Sequence, residues 1–114
     1  MRKPRDLLTK ARTKGNQNLD QYFLMDEEII GRMQEYALKF DCSHILEIGA
    51  GIGNLTDKLL EISRDVIAME IDPFLVDFLS SEFKWEISRN ELNLIQGDIL
   101  KTQLPPYTVS VSNL

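Results

Sequence analysis

The stretch Glu47-Ile48-Gly49-Ala50-Gly51-Ile52-Gly53 decides how this chain is read. An apolar segment, His44-Ile45-Leu46, runs into it, and a helical pattern starts at Asn54. Strand, glycine loop, helix is the arrangement with which α/β proteins hold nucleotide-like ligands. The glycines let the backbone turn sharply and approach a ligand that a Cβ would keep away. The spacing is G-x-G-x-G, whereas a dinucleotide fingerprint reads G-x-G-x-x-G and would need a glycine where Asn54 stands. The loop therefore points to a nucleotide-like cofactor and only weakly to NAD.

Elements alternate outward from this loop. Before it, Asp26-Glu27-Glu28 opens a helix, its acids suited to the positive end of the helix dipole, and Ile29, Met33, Ala37 and Phe40 form an expected apolar stripe. Ile45 to Ile48 is the first strand. A helix from Asn54 to Ile62 is expected to bury Leu55, Leu59 and Ile62. The run Val66-Ile67-Ala68-Met69 reads as a strand covered on both faces. Asp72-Pro73 is a helix start, cap then proline, and Phe74, Leu75, Phe78 and Leu79 are its expected buried face. A polar descent from Trp85 to Glu91 leads to a third strand at Leu92-Asn93-Leu94-Ile95. Pro105-Pro106 breaks the chain before a fourth strand, Thr108 to Val111. Such alternation predicts an α/β fold with a parallel sheet and right-handed crossovers.

Bulk properties narrow the class. With 114 residues the chain holds one modest domain at most. It has no apolar run long enough to span a membrane and no apolar signal segment, and a single cysteine, Cys42, suits a reducing compartment. A cytoplasmic location without a membrane partner is expected. Cys42 and the lone His44 are too few for a metal site, so no metal is expected. The net charge of −5 is unevenly spread. Arg2, Lys3, Arg5, Lys10, Arg12 and Lys14 face only Asp6 in the first fourteen residues, a local +5 that leaves −10 for the rest. Residues 1–20 show no strong periodicity. They read as a basic N-terminal arm suited to phosphate backbones, or as a solvated terminus, ahead of a domain over 21–114.

Ligands of parallel sheets sit beyond the carboxyl ends of the strands. The glycine loop follows the first strand there. Glu70 follows the second, seventeen residues past Gly53, where a carboxylate can accept both hydroxyls of a ribose. Asp98 follows the third, where it can accept from an adenine amino group, although Gly97-Asp98 also suits a plain turn. Ser112-Asn113-Leu114 follows the fourth. Loop, ribose acid and adenine acid together describe a nucleoside site, and S-adenosylmethionine fits it best. Glu47, at the loop's leading edge, agrees with that reading and also suits a buried carboxyl that steadies the loop.

Five segments resemble one family, the ribosomal RNA adenine dimethyltransferases, especially their archaeal and eukaryotic-type branch. They are Gln21-Tyr22-Phe23-Leu24, Glu47 to Gly53 with Asn54-Leu55-Thr56, Glu70-Ile71-Asp72, Gly97-Asp98 and Ser112-Asn113-Leu114. The resemblance implies a Rossmann-like class I methyltransferase fold. It implies an S-adenosylmethionine-dependent enzyme that dimethylates adenine N6 in small-subunit rRNA or immature small ribosomal subunits. By the same resemblance, the segment Gln21, Tyr22 and Leu24 folds over the methionine end of the cofactor, which Gly49 approaches through its backbone, and Gly51 also binds the cofactor. Glu70 holds the ribose and Asp98 the adenine. Asn113 is the catalytic residue that accepts from the target amine.

The chain departs from the family pattern in two places. Tyr22 and Asp20 stand where a polar residue such as Asn, and Gly, are usual, and Leu114 falls inside the family's Asn-Leu-Pro-Tyr motif. Family sheets have strand order 3-2-1-4-5-7-6, of which this chain supplies 3-2-1-4. A piece of a longer protein is the expectation, the alternative being a fourth strand that pairs with another chain. A non-catalytic S-adenosylmethionine- or RNA-binding module, an assembly factor, or a methyltransferase for another RNA are the competing functions, with a nicotinamide dehydrogenase a distant further one.

Overall fold

The computed structural model describes residues 2–13 and 26–112. The element order is α1 (Pro4–Thr13), α2 (Glu27–Ala37), β1 (Ile45–Ile48), α3 (Asn54–Ile62), β2 (Val66–Glu70), α4 (Pro73–Glu82), α5 (Lys84–Ser88), β3 (Leu92–Gln96) and β4 (Val109–Ser112). The four strands form one parallel sheet in the order β3-β2-β1-β4, as expected. In register, Ile45 lies beside Val66 and Val109, and Val66 beside Leu92, so the carboxyl ends of all four strands emerge on one side. No described helix is long and apolar enough to cross a membrane.

The two sheet faces are covered unequally. On one face, Ile45, Val66, Ala68 and Leu92 meet Leu55 and Leu59 of α3, Leu75, Phe78 and Leu79 of α4, and Phe83 in a single core. Burying each large apolar side chain of this kind contributes roughly 1.5–3 kcal/mol. On the other, Leu46, Ile67 and Met69 are covered by Ile95, Ile99 and Leu104, two of which come from the connection between β3 and β4. β2 is buried along its whole length, as its unbroken apolar run predicts. Local chemistry sets the start of α4: the Asp72 carboxylate accepts from the Phe74 amide at 2.9 Å and Pro73 occupies the first helical position.

Three readings need correction. The face that α2 turns inward is Ile30, Met33 and Ala37, not the row beginning at Ile29. Ile29 is 43% exposed, and Phe40, 62% exposed, lies beyond the helix end, where helical spacing no longer applies. Pro4–Thr13, read as lacking periodicity, is helix α1, and it buries Leu7, Leu8 and Ala11 in the main core. Their spacing of one and three covers barely one turn, too short a pattern to stand out. The polar descent after α4 contains the short helix α5, which buries none of its own residues. It continues the α4 backbone through a bond from the Ile87 amide to the Phe83 carbonyl, and Asn90, at φ 61°, turns the chain into β3.

Candidate functional site

Backbone hydrogen bonds tie the strand ends into one site. The Gly49 and Ala50 amides both donate to the Met69 carbonyl at 3.0 Å, and the Gly97 amide donates to the Glu70 carbonyl at 3.1 Å. The loop after β1, the end of β2 and the turn after β3 are thus fastened side by side. Gly49, Gly51 and Gly53 all have positive φ (80°, 61° and 94°), a conformation that side chains rarely tolerate. At Gly53 the constraint is double. A Cβ there would come within 2.5 Å of Phe83 Cε2, so the close packing of loop against core also demands glycine.

Glu70 closes the loop. Its Oε1 accepts from the Gly51 amide at 2.8 Å and its Oε2 from the Asp72 amide at 3.0 Å, and the residue is only 8% exposed. Each carboxylate oxygen can accept more than one bond, so both keep capacity for ligand hydroxyls. One side chain therefore fastens the loop to the end of β2 and presents an acceptor pair beside it.

Glu47 lies beneath the loop on β1 and is completely buried. Its Oε1 accepts a hydrogen bond from Thr56 Oγ1 on α3, and its Oε2 has no hydrogen-bond partner among the described residues. Burial pushes its pKa up to about 8; the Thr56 hydroxyl opposes this without offsetting it, and the Glu70 charge adds to it. A neutral carboxyl at neutral pH is the consequence. Thr56 belongs to the stretch that resembles the family, but its partnership with Glu47 had no separate signal in the sequence.

Asp98 stands after β3 in a turn of its own making. Its Oδ1 accepts from the Leu100 amide at 2.9 Å, and its carbonyl accepts from Thr102 Oγ1 at 2.7 Å. The turn reading of Gly97-Asp98 is therefore observed: the residue shapes the bend that follows β3. Glu47, Gly49, Gly51, Glu70 and Asp98 are thus gathered at one end of the sheet. Gln21, Tyr22, Leu24 and Asn113 lie outside the described residues. No group of three or more metal-ligating side chains occurs among the described residues.

The residues fit a nucleoside cofactor: a cradle of left-handed glycines, a buried carboxylate fastened to it, and a second carboxylate one strand over. This parallel sheet with its glycine loop is the fold of class I methyltransferases. A dimethyladenosine transferase from Plasmodium falciparum superposes with a TM-score of 0.66 at 34% identity, covering 78% of this chain and 32% of that one. The 23S rRNA methyltransferase ErmE gives a TM-score of 0.66 at 30% identity, covering 79% and 36%.

The profile of the ribosomal RNA adenine dimethylase family matches residues 12–113, and the chain belongs to that family. A protein of Natronomonas pharaonis described as a probable ribosomal RNA small subunit methyltransferase A is 44% identical over 115 residues, covering 100% of this chain and 42% of that protein. A protein of Haloarcula marismortui with the same description is 42% identical, covering 99% and 40%. The chain thus spans about two-fifths of the length of these relatives.

Proposed function

We propose that this chain is the cofactor-holding part of an S-adenosylmethionine-dependent methyltransferase that dimethylates adenine N6 in small-subunit rRNA. The observation that carries the reading is Glu70, buried at the end of β2 and bonded through Oε1 to Gly51 of the loop. A loop carboxylate in that place accepts ribose hydroxyls. Asp98 would accept from the adenine amino group, the backbone of Gly49 would approach the methionine end, and Gly51 would help to hold the cofactor. When bound, S-adenosylmethionine supplies a methyl group made electrophilic by its sulfonium. The protein's contribution is alignment, because an uncharged amine must approach that methyl in line. Asn113, following β4, accepts from the target amine and orients it.

Small-subunit rRNA is the substrate favoured by the relatives at 42–44% identity, whose descriptions name it, over the 23S rRNA of a neighbour at 30%. Parallel calorimetric titrations with S-adenosylmethionine and NADH test the cofactor. Saturable binding of the former, tighter than of NADH, is expected; the reverse order, or no binding by a folded chain, overturns the reading. Transfer of labelled methyl to immature small subunits, mapped to adenine N6, tests the substrate. Label confined to large-subunit rRNA would replace it with the resistance-type activity.

A further inference from the structure

Arg2 makes a dense set of polar contacts away from the site above. Its Nη1 donates to Asp57 Oδ1 at 2.9 Å and Glu86 Oε2 at 2.8 Å, and its Nε to Glu82 Oε1 at 3.1 Å. Its Nη2 donates to the Glu82 carbonyl at 2.9 Å and to Glu86 Oε1 at 3.3 Å, and its backbone amide to Asp57 Oδ2 at 3.2 Å. One guanidinium therefore joins the first turn of α3, the last turn of α4 and α5. An arginine on a terminal helix carbonyl also complements the dipole of α4. The side chain is 21% exposed, so these pairs are partly shielded from solvent. The ion pairs with Glu86 and Asp57 outweigh burial and keep it charged.

The contact that links Arg2 to the loop is aromatic. Its guanidinium carbon lies 4.0 Å from the centroid of the Phe83 ring, a cation–π stack. Phe83, the single residue between α4 and α5, is 0% exposed, and its ring edge fills the space beside Gly53. Gly53 in turn carries the left-handed turn that starts α3, and its carbonyl accepts from the Asp57 amide at 2.9 Å. Arg2 thus grips both sides of the loop's exit: Asp57 on α3 and Phe83 against Gly53. Helix α1 holds Arg2 in place through its buried Leu7, Leu8 and Ala11, and Lys10 adds a pair to Glu82 at 3.0 Å.

We propose that Arg2 is a positioning residue for the glycine loop: with α1 as its anchor, it clamps Phe83 and the first turn of α3 so that the loop is pre-shaped for its cofactor. This rests on the reading that the loop holds S-adenosylmethionine. Without Arg2, three carboxylates, Asp57, Glu82 and Glu86, converge on the space it filled, and their repulsion opens the α3–α4 junction. Arg2→Lys keeps the charge but cannot reproduce the forked bonds or the planar stack.

The 114-residue chain is compared as wild type, Arg2→Met, Arg2→Lys and Val66→Ala, the last a core change at the opposite end of β2. Hydrogen exchange without cofactor reads the Gly53 and Asp57 amides, and calorimetry reads the affinity for S-adenosylmethionine. Arg2→Met is expected to exchange faster at both amides and to bind about tenfold more weakly, because a site that must be ordered on binding loses affinity. Arg2→Lys falls between, and Val66→Ala lowers thermal stability while leaving affinity and the relative protection of the two amides unchanged. Arg2 variants that behave like Val66→Ala overturn the positioning role. Faster exchange in Arg2→Met, together with a wild type that binds no S-adenosylmethionine, keeps the clamp and discards the cofactor reading.

Discussion

Glu47→Gln replaces the buried carboxyl of β1 with a neutral amide of nearly the same shape. Glu47 binds a proton up to about pH 8 in the folded chain, against an ordinary value of 4.5. Between those limits the unfolded chain has released a proton that the folded chain retains. The stability attached to that proton is fully present below pH 4.5 and is lost as the pH climbs to about 8. The slope is about 1.4 kcal/mol per pH unit, so roughly 3 kcal/mol is lost by about pH 7 and ~5 kcal/mol is the ceiling. The amide does not titrate, and its nitrogen takes the place of Oε2, which has no hydrogen-bond partner among the described residues in the wild type either. The variant should therefore match the wild type near pH 4.5, gain on it steadily, and be more stable by roughly 3 kcal/mol near neutrality. Urea unfolding followed by circular dichroism in a pH series measures this difference, and titrations common to both proteins, such as those around Arg2, cancel in it. A difference that stays flat with pH, or one that turns against the variant as pH rises, would show that Glu47 is ionised in the folded chain.

Gly53→Ala forces a Cβ to 2.5 Å from Phe83 at a φ of 94°, and should cost about 2–4 kcal/mol in urea unfolding. Asp98→Ala should weaken S-adenosylmethionine binding by about tenfold in a calorimetric titration, with only about 1 kcal/mol lost from the Leu100 turn bond. An unchanged affinity would reduce Asp98 to a turn residue. Asp72→Ala removes the α4 cap and should lower stability by about 1 kcal/mol, read as a fall of about 4–8 °C in Tm. Phe78→Ala, in the main core, should cost about 3–5 kcal/mol and leave little folded chain at physiological temperature.

The candidate site is built by fastening strand ends to one another. Glu70 is the clearest case, since the bonds that shape the loop are made by the same carboxylate that is proposed to hold the ribose. Its loss would therefore damage loop and binding together, whereas Asp98, which organises only its own turn, separates the two effects.

What the sequence by itself determined is whatever depends on neighbours along the chain. Gly49, Gly51 and Gly53 declare a loop because their permitted φ is a property of the residue. Asp72-Pro73 declares a helix start because cap and first amides are two residues apart. The apolar run of β2 declares burial on both faces, and the alternation of elements implies the parallel sheet that is observed. The placement of Glu70 and Asp98 at neighbouring strand ends was legible because the strands of such a sheet run parallel. Tertiary structure alone decided the rest. Ile29 and Ile30 are adjacent letters, and only the position of the core beneath α2 selects Ile30. The protonation of Glu47 depends on solvent exclusion by segments far away in sequence. Arg2 reads as one more charge in a basic arm until folding brings Asp57, Glu82 and Glu86 to it across 55 to 84 residues. Such contacts leave no periodicity and no local motif, because the free energy that makes them is gained only once the chain has closed the loops between them.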